Sequence, residues 1–503
     1  VALVCDWLTE KGGAEKVLLE FHHLYPDAPI YTSQYRPKRI DWFKDATVKT
    51  GWLNLFPAAF RRILGPLRQR YFSHLDLSHY DLVISVTGAE AKSVRTQPKP
   101  YRTATQKGKY EVLLPDQPHT THICYCHVPT QYYWQSYDRY LKNPGFGFLN
   151  PIVKFFFRLL VKPLRKADFA ASQQPDYFVT ISSYAAEQIK KYYHRDATII
   201  YPPVDVQKFS KSTSTPVKPV ENSNKTQSQD QCSIDQPREN HPFVISCRQV
   251  AGKRVDLAIS ACNRLGLPLQ VIGDGPEHKK LQQLAANVPA RDTSHVEFLP
   301  WLTSDQLAER LQAARAFIFP SLEPFGIAPV EALAAGCPVI AFADGGSRDF
   351  VHLGENGLFF REQTVDSLVT ALQDFPGHHF NRQKIAASAA PFDVSKFREG
   401  ITAFIDQALK NPVPKPTSTP ETTTPKPAPT PKLSADSLPK DAKMPNKFLR
   451  AVYFALLVAL PAVLFFSYHP IISLGANSSM NFELSLPLIW LILFDFISLT
   501  NFA

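Results

Sequence analysis

Ten short apolar runs recur along this chain, separated by longer stretches whose apolar residues follow a helical spacing. Five of them, VALVC from Val1, DLVISV from Asp81, HICYC from His122, YFVTIS from Tyr177 and TIIY from Thr198, precede a polar gap. Five more, FVISC from Phe243, PLQVI from Pro268, HVEFL from His295, AFIFP from Ala316 and CPVIAF from Cys337, follow it. A strand apolar at nearly every position must be covered on both faces, and alternation with helices achieves this through a parallel sheet. At 503 residues the chain exceeds what one core supports. The pattern predicts an α/β chain of two domains, each a parallel sheet wrapped by helices, over 1–209 and 242–410.

The segments outside these domains differ in composition. Residues 210–241 are rich in Ser, Thr, Gln, Asn, Lys and Pro, and no aromatic lies between Phe209 and Phe243, which predicts a disordered polar insertion. Proline occupies eight of the twenty positions from 412 to 431, so 411–446 reads as an extended Pro/Thr-rich linker. Ala451 to Ser467 is a run of seventeen uncharged residues preceded by Lys440, Lys443, Lys447 and Arg450, and Leu484 to Ala503 is a second apolar run broken by Asp495. Residues 447–503 are therefore expected to form transmembrane helices, cut off at the end. The positive flank places the soluble domains on the cytoplasmic side. No secretory leader is expected ahead of Val1.

Lys and Arg number 55 against 45 Asp and Glu, a net charge of +10 that suits nucleic acid, an anionic membrane or a phosphate-bearing substrate. The basic residues are not interleaved with an aromatic platform of any recognised module, so no nucleic-acid partner is expected. Cys5, Cys124, Cys126, Cys232, Cys247, Cys262 and Cys337 form an odd set lying mostly inside apolar runs, which reads as reduced, buried thiols of a cytosolic compartment. Cys124 and Cys126 share a strand face, yet no second Cys/His pair at zinc spacing accompanies them, and no metal is expected.

The sharpest chemical signal is Glu323-Pro-Phe-Gly-Ile-Ala-Pro-Val-Glu331, two carboxylates separated by seven residues between a strand and a helix. Such a turn aims the backbone N–H groups of Phe325, Gly326 and Ile327, with the helix dipole, at an anionic or hydroxyl-rich ligand. Upstream, Arg248 and Lys253 occupy the loop after FVISC, where two cations can neutralise a diphosphate leaving group. Gly12-Gly13-Ala14-Glu15 opens a helix after the first strand and leaves backbone amides open to phosphate or sugar oxygens. His127 ends the strand HICYC at the carboxyl edge, where open α/β sheets place ligands. Gly273-Asp274-Gly275-Pro276 and Gly345-Gly346 also follow strands and read equally well as simple turns. Two segments, 57–72 and 151–166, mix cations with large apolar residues; Lys154, Arg158 and Lys162 recur every fourth residue, a spacing that suits either contact with anionic lipid or ordinary amphipathic packing.

The carboxylate pair resembles the E-x7-E signature of retaining family 4 glycosyltransferases, and the resemblance, over roughly residues 1–409, implies their α/β GT-B fold of two Rossmann-like domains facing across a cleft. It implies that Glu323 contacts the transferred sugar and Glu331 the ribose hydroxyls. It also implies that Arg248 and Lys253 form the R-x4-K element, that Gly12 and Gly13 belong to the GGAE loop, and that His127 lies beside the donor sugar. The segments CDWLTEKGGAEKVLLEFHHLYPDAPIYT, HICYCHVPTQYYW and GKRVDLAI most resemble bacterial mannosyltransferase-like members that build O-antigen or other surface polysaccharide. The resemblance therefore implies retaining, metal-independent transfer of a hexose from a GDP- or UDP-linked sugar, mannose from GDP-mannose first, with no cofactor. The acceptor would be a lipid-linked glycan or polysaccharide at the bacterial inner membrane. Pro300 stands where the family usually has glycine and Asp349 where it usually has glutamate, which leaves base and sugar open. An alternative is an accessory, non-catalytic module fused to a membrane domain, because FELSLPLIWLILFDFISL resembles the start of O-antigen polymerase or ligase proteins.

Overall fold

The computed structural model describes residues 1–58, 61, 64–97, 101–104, 110–113, 120–142, 144, 150–210, 241–287 and 295–411. The expectations of a disordered insertion, a Pro/Thr-rich linker and transmembrane helices fall, apart from the flanking residues 210, 241 and 411, outside these residues. Among the described residues no helix is long and apolar enough to cross a membrane.

The first lobe holds strands β1 (Ala2–Cys5), β2 (Ile30–Thr32), β3 (Val48–Thr50), β4 (Leu82–Thr87), β7 (Thr121–Cys126), β8 (Tyr177–Thr180) and β9 (Thr198–Ile199). They form one sheet in the order β3-β2-β1-β4-β7-β8-β9, and every pairing is parallel. A separate antiparallel hairpin pairs β5 (Tyr101–Ala104) with β6 (Tyr110–Leu113). Helices α1 (Gly13–Leu24), α2 (Gly65–His74), α3 (Tyr137–Lys142), α4 (Asn150–Ser172) and α5 (Ser183–Tyr193) connect the strands or flank the sheet, and α6 (Val206–Ser210) leads away from it to pack on helices of the second lobe.

The second lobe repeats the principle with β10 (Phe243–Ser246), β11 (Leu269–Ile272), β12 (Val296–Leu299), β13 (Phe317–Phe319), β14 (Val339–Phe342) and β15 (Gly357–Phe360), in the order β12-β11-β10-β13-β14-β15. Its helices are α7 (Val255–Leu265), α8 (His278–Ala286), α9 (Ser304–Ala313), α10 (Ile327–Ala334), α11 (Val365–Asp374), α12 (Arg382–Ser388) and α13 (Val394–Lys410). The apolar runs are continuous because both faces of the sheet are covered. Phe243 and Ile245 join the cluster beneath α7 and α11, while Val244 points the other way into the cluster that holds Leu311 and Val330.

That second cluster runs on into the first lobe, through Phe325, Phe392, Val204 and Phe397 to Phe21 and Tyr125. The last helix, α13, crosses back onto the first lobe. Phe397 meets the rings of Phe21 and Tyr125 edge-on at 5.7 and 5.9 Å, and Arg398 donates to Glu20 at 2.6 Å. Val204 and residues 392–394 exchange backbone hydrogen bonds of 3.0 and 2.9 Å where the chain passes between lobes. These contacts bring the carboxyl edges of both sheets into one neighbourhood.

Candidate functional site

Three strands of the first lobe end side by side. β1 runs into Asp6, β4 into Gly88 and β7 into His127. Asp6 ties these ends together: one carboxylate oxygen accepts from Thr87 Oγ1 at 2.8 Å and from the Gly88 amide at 3.1 Å, the other from the Ala91 amide at 2.8 Å. A pocket of about 270 Å³ opens above, lined by Asp6, Trp7, Leu8, Glu15, His127, Val128, Gln131, Tyr132 and Tyr140 among others. His127 Nε2 is buried and has no hydrogen-bond partner among the described residues. Burial holds the imidazole well below its usual pKa, at about 4, against the opposing pull of Asp6. At neutral pH it is an uncharged group facing a pocket, able to donate or accept according to its tautomer.

Glu15 occupies the first turn of α1 and lines the same pocket. Burial raises its carboxyl to about 7, with Glu10 and Asp6 adding to the rise and its own backbone N–H and Arg61 opposing it. Gly12 makes room for that carboxyl, since a Cβ at 12 would come 2.7 Å from Glu15 Oε2. Gly13 serves the other lobe: a Cβ there would come 2.9 Å from Ile327 Cδ1. The glycine loop and the E-x7-E loop are therefore in direct contact.

In the second lobe, Glu323 follows β13 and Lys253 follows β10, neighbouring strands of one sheet. Lys253 Nζ lies 2.5 Å from Glu323 Oε1, which also accepts from Ser321 Oγ at 2.6 Å. Burial pulls the Lys253 ammonium down, but the charge and hydrogen bond of Glu323 outweigh it and leave the amine above its usual range. Gly326 ends the turn at φ 126°, a conformation open to glycine, and a Cβ there would meet Phe319 Cζ at 2.7 Å. Helix α10 begins at Ile327, so its first amides face the loop without intrahelical partners. Glu331, one turn on, accepts from Lys16 Nζ of α1 at 3.3 Å.

Arg248 points the other way, to the first lobe, where Nη1 lies 2.7 Å from Glu10 Oε2. Arg61 reaches the same oxygen at 3.2 Å. Burial favours the neutral Glu10 carboxyl, but Arg61 and Arg248 together hold it below the usual carboxylate range. The two cations that the sequence marked for a diphosphate thus each rest on a carboxylate, Arg248 on Glu10 of the first lobe and Lys253 on Glu323 of the second.

The two glycine turns whose roles the sequence left open build this wall. A Cβ on Gly275 would lie 2.3 Å from the Gln249 carbonyl oxygen, and one on Gly346 2.4 Å from the Phe325 Cα. The first turn therefore supports the Arg248 loop and the second supports the Glu323 loop. Phe325, expected to act through its amide, also buries its ring among Tyr201, Phe350 and Phe392, at 5.9, 5.5 and 5.7 Å. Asp349 has a partner in the other lobe: it accepts from the Ser183 amide at 2.7 Å and from the Ser183 hydroxyl, at the start of α5. Sequence reading missed Glu10, Lys16, Glu15 and Asp349 as partners. Lys16 and Glu15 at least adjoin the glycine loop; no local signal marks Glu10.

The six thiols Cys5, Cys124, Cys126, Cys247, Cys262 and Cys337 are free. Burial raises those of Cys247 and Cys262 to about 12.

Comparison with known proteins adds four findings. Residues 229–387 match the family model described as Glycosyl transferases group 1. The lipopolysaccharide core biosynthesis glycosyltransferase LpsE of Rhizobium meliloti is 30% identical over 184 residues, 36% of this chain and 53% of that protein. A GDP-mannose-dependent alpha-(1-6)-phosphatidylinositol monomannoside mannosyltransferase of Mycobacterium tuberculosis is 29% identical over 146 residues, 27% of this chain and 35% of its own length. The chain thus spans about half, or less, of the curated relatives it matches. The structure of Anabaena HepE in complex with UDP aligns with 81% of this chain and all of that one, at a TM-score of 0.53 and 16% identity. The described architecture is the two-lobed, parallel-sheet fold expected of GT-B proteins, and the match to glycosyl transferases group 1 takes in the second lobe from residue 241 to residue 387.

Proposed function

We propose that the chain is a retaining glycosyltransferase that moves a hexose from a nucleotide sugar to a lipid-linked or polysaccharide acceptor in surface polysaccharide biosynthesis. The observation that carries this reading is the Lys253–Glu323 pair, 2.5 Å apart, on a loop that touches the Gly13 backbone through Ile327. A sugar carboxylate contact, a diphosphate cation and an amide-bearing glycine loop then share one place. GDP-mannose is the first donor to test, since one relative is named for it; UDP-sugars are the second, since HepE binds UDP.

In this reading the bond between the anomeric carbon and the diphosphate oxygen breaks while the acceptor hydroxyl adds on the same face. The leaving phosphate takes the hydroxyl proton. Arg248 and Lys253 exchange Glu10 and Glu323 for phosphate oxygens and stabilise the charge released, a role that calls for neither metal nor cofactor. Glu323, freed from Lys253, takes sugar hydroxyls, and Glu331 takes the ribose. The pocket containing His127 and Glu15 receives the acceptor. Helix α4 supplies a membrane contact: Phe155 is 63% exposed and lies among Lys154, Arg158 and Lys162. Residues 447–503 would add an anchor in the bacterial inner membrane, with the lobes on its cytoplasmic side.

The test is release of nucleoside diphosphate by the full chain from GDP-mannose, UDP-glucose and UDP-galactose. Glu323→Ala and Arg248→Ala should each reduce the rate by about a hundredfold or more, the scale of losing one transition-state charge contact. Equal rates in all three proteins would rule the proposal out. They would favour the accessory-module alternative.

A further inference from the structure

Cations that meet where the lobes adjoin include Arg61 and Arg139 on the first lobe and Arg248 and Lys253 on the second. Arg61 and Arg248 rest on Glu10 and Lys253 on Glu323. Arg139, on the exposed face of α3, is different. It donates to Ser136 Oγ at 3.2 Å and lies 5.9 Å from the Tyr140 ring centre, and among the described residues it pairs with no carboxylate. Its Nη1 is 3.3 Å from the point that a Cβ on Gly252 would occupy. The guanidinium therefore stands over the backbone of the very turn that joins Arg248 to Lys253.

Arg248 and Lys253 each already hold a carboxylate, so Arg139 stands beside their loop as a cation with no negative partner among the described residues, and an anion bound there would be attracted by it. A guanidinium in that place offers paired N–H donors with the geometry of phosphate oxygens, and it comes from the lobe opposite the other two cations. The neighbouring Tyr140 lines the first-lobe pocket, so the same short helix touches both candidate substrate sites. We propose that Arg139 binds the donor diphosphate from across the cleft, closing a three-cation clamp, and that Gly252 lacks a side chain to admit it. This rests on the nucleotide-sugar reading above.

Calorimetric titration of the full chain with GDP, UDP and inorganic pyrophosphate tests it. Arg139→Ala should weaken all the diphosphates the wild type binds by about tenfold, the effect of one charge-assisted hydrogen bond. Arg139→Lys should recover part of that loss, and Gly252→Val should reproduce it without altering the arginine. An exposed position leaves the thermal midpoint of Arg139→Ala near that of wild type. If Arg248→Ala weakens binding and both Arg139→Ala and Gly252→Val leave it within twofold, the clamp is wrong while the donor site stands. If the wild type binds neither nucleoside diphosphate, the nucleotide-sugar reading falls and the clamp falls with it.

Discussion

Single residues in the first-lobe pocket have been tuned by what surrounds them. Glu15 and His127 line the same space, yet burial moves their protons in opposite senses, to about 7 and about 4, so both are uncharged just below neutral pH. The raised carboxyl has a consequence for stability. Its folded pKa lies above the unfolded value of 4.5, so the folded state holds the extra proton between the two. Stability is then fully present below about pH 4.5 and is lost as pH rises through 7. Glu15→Gln should match wild type near pH 5 and exceed it at pH 8 by on the order of 2 kcal/mol, after allowance for partial exposure. Urea unfolding at the two pH values checks this, and an equal difference at both would show that Glu15 is already ionised in the fold.

Among the elements, α4 carries two conflicting demands. Its C-terminal part is anchored by Asp168, which accepts from Lys92, Thr130, Trp134 and Tyr193 at 2.6 to 2.8 Å, and by Arg165, which donates to the Tyr133 carbonyl at 2.6 Å. Such a carboxylate has its acceptor capacity filled and fixes the helix firmly. The earlier turns expose Phe155, Arg158 and Lys162 instead. The triple substitution Lys154→Glu, Arg158→Glu and Lys162→Glu should reduce binding of the full chain to phosphatidylglycerol vesicles at least tenfold, since each basic residue near an anionic surface contributes about 1 kcal/mol. It should leave binding to neutral vesicles unchanged. An undiminished affinity for anionic vesicles would return α4 to ordinary amphipathic packing.

At the scale of the whole molecule, the lobes are joined by polar contacts around α5. Asp349 caps its first residues from the second lobe, Ser182 donates to the Pro324 carbonyl, and Arg348 reaches Glu187 at 2.9 Å. Asp349 stands where the sequence resemblance led us to expect glutamate. The shorter side chain serves as a helix cap in the partner lobe. Asp349→Ala should cost about 1 kcal/mol and speed hydrogen exchange of the Ser183 amide, because a cap is lost along with the lobe contact. Unchanged exchange at Ser183 would show that the two lobes part readily at this point.

The order of runs and helices determined the two parallel sheets, because a strand apolar on both faces has nowhere else to go, and local spacing marked Glu323, Arg248, Lys253, Gly12, Gly13 and His127 as lying just past strand ends, with Glu331 in the helix that follows Glu323. Spacing is a property of neighbours in the chain. It therefore had no access to Glu10 on Arg248, Lys16 on Glu331 or Arg139 over Gly252, each of which joins residues more than a hundred positions apart. The same limit applied to charge: a count of +10 gave no sign that the cations of the site already rest on carboxylates. Only the folded chain decided that. Hydrogen bonds and burial act over a few ångströms of space, whatever the distance along the backbone.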